Sequence, residues 1–383
     1  MKKSLFLLCL IVFSAFSAVF ADDEKAQEFI TTSRLYGGVF NGPSYKYGLW
    51  GPLYETATVR ITERTRAGNW VYVERLNDDG DVVQEGWVQT SILNDNPDSG
   101  LDLNDLPITD LLDADMNLSF SGRTERKLYE TPILSAISPA LADVFALGQS
   151  LGNDPSAFTK IGDSLIEDVT YLNIMGDPGY QLGIYRHLED TVLWFGASAG
   201  ESISAQIGMT SYTIFDPMWA DAEHCNGGET PLDCELRLKK PSVAFILFGQ
   251  NDVRRMTFEQ FETQISLIVE HLLERGVIPV LSTFSLHPDD QFYPQGMAFN
   301  GRIVDLSIKY DVPLINLWAA AQILPDYGLD EDLIHMRRSG FTYLKFDRGE
   351  DMQHGISLQN LLALSLLDHL RRDLGMDHMD SAE

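Results

Sequence analysis

Phe158-Thr159-Lys160-Ile161-Gly162-Asp163-Ser164-Leu165 is the stretch whose reading decides the fold. An apolar run breaks at a glycine, turns over an aspartate and resumes at a serine. This predicts a short buried strand followed at once by a helix opening at Ser164. A side chain at such a junction projects from the carboxyl end of a strand, where open α/β sheets bind their ligands. The backbone N–H of the same residue stands at a helix N-terminus, where unpaired donors favour a developing negative charge. One residue can therefore offer both a nucleophilic hydroxyl and a donor to the oxyanion it creates.

Outward from this stretch, the chain alternates strand and helix signals from about residue 118. Ser242-Val243-Ala244-Phe245-Ile246-Leu247-Phe248 is a continuous apolar run ending at Gly249, as expected of a strand covered on both faces. Thr257 and Gln260 form a capping box that opens a helix, Phe258, Phe261, Ile265, Ile268 and Leu272 form its apolar stripe, and Gly276 stops it. A strand at 277–283, a helix at about 296–309, a strand at 312–317 and a final helix at 357–374 complete the pattern. Successive βαβ units of this kind predict a three-layer α/β/α sandwich around a mostly parallel sheet, over residues 118–375.

Acyl transfer through a serine needs a base, a carboxylate to orient the base, and donors for the tetrahedral oxyanion. Gly249-Gln250-Asn251-Asp252 follows the long apolar strand, so the Asn251 amide is projected from the same sheet edge. A polar turn held by its own Asn and Asp side chains is the bland alternative. Asp332-Leu333-Ile334-His335 offers a carboxylate and an imidazole within one turn, whereas a surface or packed histidine is the ordinary fate of the other seven. These blocks, with Gly162-Asp163-Ser164-Leu165 and the glycine at 208, stand in the order found in the GDSL, or SGNH, serine hydrolases, and the chain resembles that family over about 118–375.

The resemblance implies a flavodoxin-like α/β fold and an ester hydrolase. In it Ser164 is the nucleophile, His335 the base and Asp332 the residue that orients His335. It further implies an oxyanion hole of the Ser164 and Gly208 N–H groups and the Asn251 amide, with no metal or organic cofactor. The family's usual proline after the histidine is here Met336, which leaves the local backbone open. A second pair, Asp351 and His354, is set aside because it leads into the final helix. The rival nucleophile is Ser198 in Gly196-Ala197-Ser198-Ala199-Gly200, which follows the apolar run 191–195 and fits the strand–turn–helix elbow of an α/β-hydrolase. That elbow lacks an upstream oxyanion motif.

Residues 1–21 read as a signal peptide: a basic start, an apolar stretch, and small residues before Asp22. The expected location is secreted or cell-envelope. Residues 28–93 show short alternating runs with Asn77-Asp78-Asp79-Gly80 as a hairpin turn, suggesting a small all-β barrel. The Asn41–Tyr45 turn, the Gly68–Val71 run and the closing Gly86–Ser91 resemble a bacterial SH3-type domain. That resemblance implies possible cell-wall contact, for which Trp70, Trp87, Tyr45 and Tyr47 are candidate groove residues; core packing of the two tryptophans is the alternative. Residues 94–117 carry seven Asp and no Lys or Arg, which reads as a solvated linker between separable units. Residues 376–383 read as a polar tail.

Cys225 and Cys234 remain once the first 21 residues are removed, and a local disulfide is expected in an exported protein. Metal ligation with His224 is the alternative. The chain has 56 Asp and Glu against 28 Lys and Arg, a balance that opposes nucleic acid and anionic membranes as partners. The expected partner is a small-molecule or polysaccharide ester, with no stable membrane insertion. A cell-wall-binding protein with an inert α/β domain is the non-enzymatic alternative.

Overall fold

The computed structural model describes residues 29–33, 37–43, 47, 49–65, 68, 70–94, 103–109, 122–340 and 344–377. The expected signal peptide, Tyr45, most of the linker and the last residues of the tail lie outside them.

Short alternating runs form β1 (Phe29–Thr32), β2 (Gly37–Phe40), β3 (Leu49–Leu53), β4 (Thr58–Arg64), β5 (Trp70–Leu76) and β6 (Val82–Gln89). They pair antiparallel in the order β1-β4-β5-β6-β2-β3. The β5–β6 turn is set by Asn77, whose Oδ1 accepts from the N–H groups of Asp79 and Asp81 at 3.1 and 2.8 Å. Trp70 and Trp87 are buried in the core, each edge-on to a ring at 5.6 Å, Phe40 and Tyr72 respectively. They are packing residues of this sheet. Part of the expected linker is structured: Pro107 O and the Thr109 N–H pair with the backbone of Arg64 at 3.0 and 2.9 Å, extending the end of β4.

The second part begins with α1 (Arg123–Glu130) and α2 (Leu141–Ser150), then alternates. In order come β7 (Asp154–Gly162), α3 (Ser164–Glu167), α4 (Glu189–Phe195), α5 (Pro231–Lys239), β8 (Pro241–Leu247), α6 (Phe258–Leu273), β9 (Ile278–Ser282), α7 (Tyr293–Tyr310), β10 (Leu314–Ile315), α8 (Leu317–Ala321) and α9 (Gly355–Asp373). The four strands lie parallel in the order β10-β9-β8-β7. Every residue of β8 is buried, as a strand with both faces covered requires. The protein is thus a mixed α/β fold, a parallel sheet clad in helices beside an antiparallel sheet. The Thr257–Gln260 capping box of α6 forms in both directions.

Two features locate the site. A parallel bridge joins Gly162 to Ala205 on the side of β7 away from β8. The chain therefore leaves β7 toward one edge and returns on the other side for β8, reversing its direction of winding. In open α/β sheets that reversal opens a crevice at the carboxyl ends of the strands, and Ser164 follows β7 directly there. Gly162 permits the close approach of β7 to β8, since a Cβ there would stand 2.2 Å from Leu247 O.

The structure corrects three expectations. The apolar run before Ser198 is helix α4 and no strand, so the elbow context fails. Its buried residues Thr191, Val192 and Phe195 share one helical face while Leu193 is 67% exposed, and Glu189 and Asp190 sit in the first turn, where the helix dipole favours acids. The polar tail begins later than expected, because Met376 is fully buried and Asp377 pairs with Arg371. The two sheets also meet across a buried seam: Glu55, just after β3, is 6% exposed and faces Arg372 and His369 of α9 and His187.

Candidate active site

Asp163 closes the β7–α3 junction. Its carboxylate caps α3 by accepting the Leu165 N–H at 3.0 Å, and its other oxygen accepts from Asn251 Nδ2 at 3.3 Å. Ser164 stands next, half-buried, with its hydroxyl free of the strand.

His335 arrives on a tight loop between α8 and α9. Antiparallel pairing of Leu329 with Met336 closes that loop through Asp330 N–H to His335 O and Arg337 N–H to Gly328 O, both 2.8 Å. Neither bond uses the N–H of residue 336, so methionine substitutes for the expected proline without loss to the ladder. Within the loop, Asp332 Oδ1 accepts the Ile334 and His335 N–H groups at 2.9 Å each. Asp332 Oδ2 stands 2.5 Å from His335 Nδ1, and His335 Nε2 stands 2.9 Å from Ser164 Oγ. A carboxylate can only accept, so Nδ1 carries the proton and Nε2 is left to accept from the serine hydroxyl. Partial burial pushes the Asp332 carboxyl up, but the hydrogen bonds from the His335 ring and the two N–H groups outweigh it and hold it below the usual carboxylate range.

Both remaining expected donors are tied to the β7–α3 junction. Gly208 follows the Gly162–Ala205 bridge by three residues and takes a left-handed conformation, φ +80°, which favours glycine although a Cβ would meet nothing within 4 Å. Among the described residues the N–H groups of Ser164 and Gly208 have no hydrogen-bond partner in the protein. Asn251 is oriented by Asp163, as above. Asp252 staples the two loops together: its buried Oδ1 accepts from Ser211 N at 2.9 Å and Ser211 Oγ at 2.5 Å. The geometry gathers a hydroxyl, an imidazole, a carboxylate and three candidate oxyanion donors at one sheet edge.

Several contributors were not singled out in the sequence. The sequence marks Asp163 only as a turn residue, yet it holds both the nucleophile helix and the Asn251 amide. Its complete burial pushes its carboxyl up to about 7, helped by the charge of Asp252 and opposed by the Leu165 and Asn251 hydrogen bonds. Arg338 reaches Asp168 through Nε and Nη2 at 2.9 and 2.7 Å, tying the histidine loop to the residue after α3. Arg338 lies three residues from His335, but nothing local signals its partner. Ser198 is not part of this site; its Oγ donates to Phe195 O at 2.9 Å and accepts the Phe158 N–H at 3.2 Å, as a turn serine does. The set-aside pair is structural too, with Asp351 buried and accepting from Tyr185 Oη at 2.7 Å. Cys225 and Cys234 form a disulfide, which takes both sulfurs from the metal alternative.

No family model matches the chain, and no curated protein matches it. Among solved structures, it is similar to a GDSL-like lipase from Bacteroides thetaiotaomicron, with 13% identity, a TM-score of 0.37, and 61% of this chain and 99% of that one covered. It is also similar to TesA, with 16% identity, a TM-score of 0.35, and 56% and 98% covered. An acetylxylan esterase from Geobacillus stearothermophilus, Axe2, matches at 13% identity and a TM-score of 0.36, with 58% and 95% covered.

Proposed function

We propose that the protein is an exported serine esterase that hydrolyses an ester of a carbohydrate or cell-envelope substrate. The observation that carries this is the unbroken Asp332–His335–Ser164 relay, 2.5 and 2.9 Å at its two contacts, at the crevice where the sheet reverses. Ser164 Oγ attacks the ester carbonyl carbon while its proton passes to His335 Nε2. The carbonyl electrons move to oxygen, where the Ser164 and Gly208 N–H groups and the Asn251 amide receive the charge. Asp332 stabilises the imidazolium. The tetrahedral adduct collapses by breaking the bond to the alkoxy oxygen, which leaves as the alcohol with the proton from His335. Water then gives a proton to His335 and attacks the acyl-serine; collapse releases the acid and returns the proton to Ser164. The cycle uses only protein groups and water.

The Cys225–Cys234 disulfide supports an oxidising compartment. No helix among the described residues is long and apolar enough to cross a membrane. A fluorophosphonate probe tests the reading directly. The wild type and Ser198→Ala are expected to label and to hydrolyse p-nitrophenyl acetate, while Ser164→Ala loses both, on the order of 10⁴ to 10⁶ in rate. A folded wild type that neither labels nor turns over the ester would make the α/β part a binding domain. Label on Ser198 would move the nucleophile.

A further inference from the structure

Beside the Gly208 turn lies a groove that the ester chemistry does not use. Its near half, about 430 Å³, has Thr210, Thr213, Arg255 and Gln260 in its walls. Its far half, about 590 Å³, runs past Phe215 to His271. Tyr212 and Gln264 belong to both halves, so they form the wall the two share. The near half adjoins the Gly208 turn: Thr210 is two residues from Gly208, and Arg255 Nη1 lies 3.5 Å from Gly208 O.

The walls have a definite chemistry. Tyr212 is 59% exposed, and neither its hydroxyl nor the Gln264 amide has a partner among the described residues. The floor of the turn is rigid, because Thr210 and Thr213 exchange backbone-to-hydroxyl bonds at 2.9 and 3.2 Å. One long side is a single face of α6, on which Gln260, Gln264, Leu267 and His271 recur at spacings of four, three and four. At 1.5 Å per residue that face runs for about 16 Å. The acids of the helix, Glu259, Glu262 and Glu270, fall outside this series. On a chain of net charge −28, a groove whose described lining has Asp216 as its one carboxylate, offset by Arg255 and among amides, hydroxyls and aromatic rings, is a local exception. An open wall that carries the unpaired Tyr212 hydroxyl and Gln264 amide suits neither an acyl tunnel, which would strand them, nor a polyanion, which the surrounding surface repels.

We propose that this groove binds the alcohol side of the substrate as an uncharged oligosaccharide chain, one ring lying on Tyr212 and its hydroxyls bonded to Gln264. The proposal rests on the esterase reading and names the substrate class of that site. It places the scissile ester near Gly208, with the chain running along α6 away from Ser164.

Two measurements test it separately from the esterase reading. The first compares partially acetylated xylotetraose and cellotetraose with p-nitrophenyl acetate as substrates. In Tyr212→Ala and Gln264→Ala the ratio of kcat/KM for the tetraoses to that for the small ester is expected to fall about ten-fold. An unchanged ratio in both variants overturns the proposal, as does a wild type that cleaves the small ester but neither tetraose. The second measures binding of the same tetraoses to Ser164→Ala by calorimetry. Binding that weakens when Tyr212→Ala is added supports the groove even if the protein proves to have no esterase activity. Absence of binding, or binding indifferent to Tyr212, overturns it.

Discussion

At the scale of the residue, the site depends on groups that never touch a substrate. Asp163 is fully buried with one oxygen on the α3 N-terminus and the other on Asn251, so it sets the direction of a candidate oxyanion donor. Asp163→Asn keeps a capping oxygen but turns an amide toward the Asn251 amide, donor against donor. The expected result is a fall in kcat of roughly 10² to 10³, the size of losing one oxyanion donor, with the protein folded. Stability follows a sign that can be worked out. The folded carboxyl is raised from 3.8 to about 7, so the native state holds the proton more tightly than the unfolded chain. Wild-type stability should therefore decline as pH rises through the window from about 4 to about 7, and level off above it. Asparagine has no such dependence. The melting temperature of the variant relative to wild type should climb between pH 4.5 and pH 7.5, and a flat difference would show that Asp163 is ionised in the native protein throughout.

At the scale of the element, the segments that present the site are short and irregular, and staples replace regular pairing. The turn from Gly208 to Thr213 is held by Asp252 through Ser211, and the histidine loop is held by Arg338 on Asp168. Farther along the same excursion, Cys225 is tied to Cys234 on α5 across a separation of nine residues. Closing so short a loop constrains the unfolded chain by about 2–3 kcal/mol. Replacing both cysteines by serine should lower unfolding free energy by that amount in chemical denaturation. The p-nitrophenyl acetate rate should stay close to wild type, because the bridge touches neither Gly208 nor Asn251. A large fall in that rate would mean that the bridge holds the oxyanion loop in place.

At the scale of the whole molecule, the antiparallel sheet is docked on the α/β part through α9. Every residue of α9 from Gly355 to Arg371 is buried, a helix enclosed on all sides. Leu358 shares an apolar seam with Gly37, Gly38 and Phe40 of β2, and the Gln89 amide donates to Tyr129 O at 3.4 Å. Glu55 closes the seam ionically, with His369 at 3.2 Å, His187 at 3.6 Å and Arg372 in direct contact. Burial alone would raise its carboxyl, but the two imidazoles and the Arg372 guanidinium beside it hold it far below the usual range. Glu55→Ala removes the buried carboxylate that His369, His187 and Arg372 face and should cost about 1–3 kcal/mol. A version of the protein starting near residue 115 should expose α9 and aggregate. If it stays soluble and cleaves small esters at the full rate, the sheet is a dispensable attachment, as the linker composition suggested.

The sequence by itself determined the local features. The break at Gly162-Asp163-Ser164, the capping box at Thr257, the turn at Asn77 and the carboxylate–imidazole turn at 332–335 are all written in neighbouring residues, because caps and tight turns are chosen by the side chains within them. The order of those turns also implied the parallel sheet and the candidate site. Only the tertiary structure decided whether 191–195 is helix or strand, since a five-residue apolar run satisfies either until its buried face is known. It alone decided that Trp70 and Trp87 are core, that α9 is enclosed, and that Glu55 lies against Arg372, 317 positions away. Each of those depends on what a face meets across the fold, and no window of sequence contains that partner.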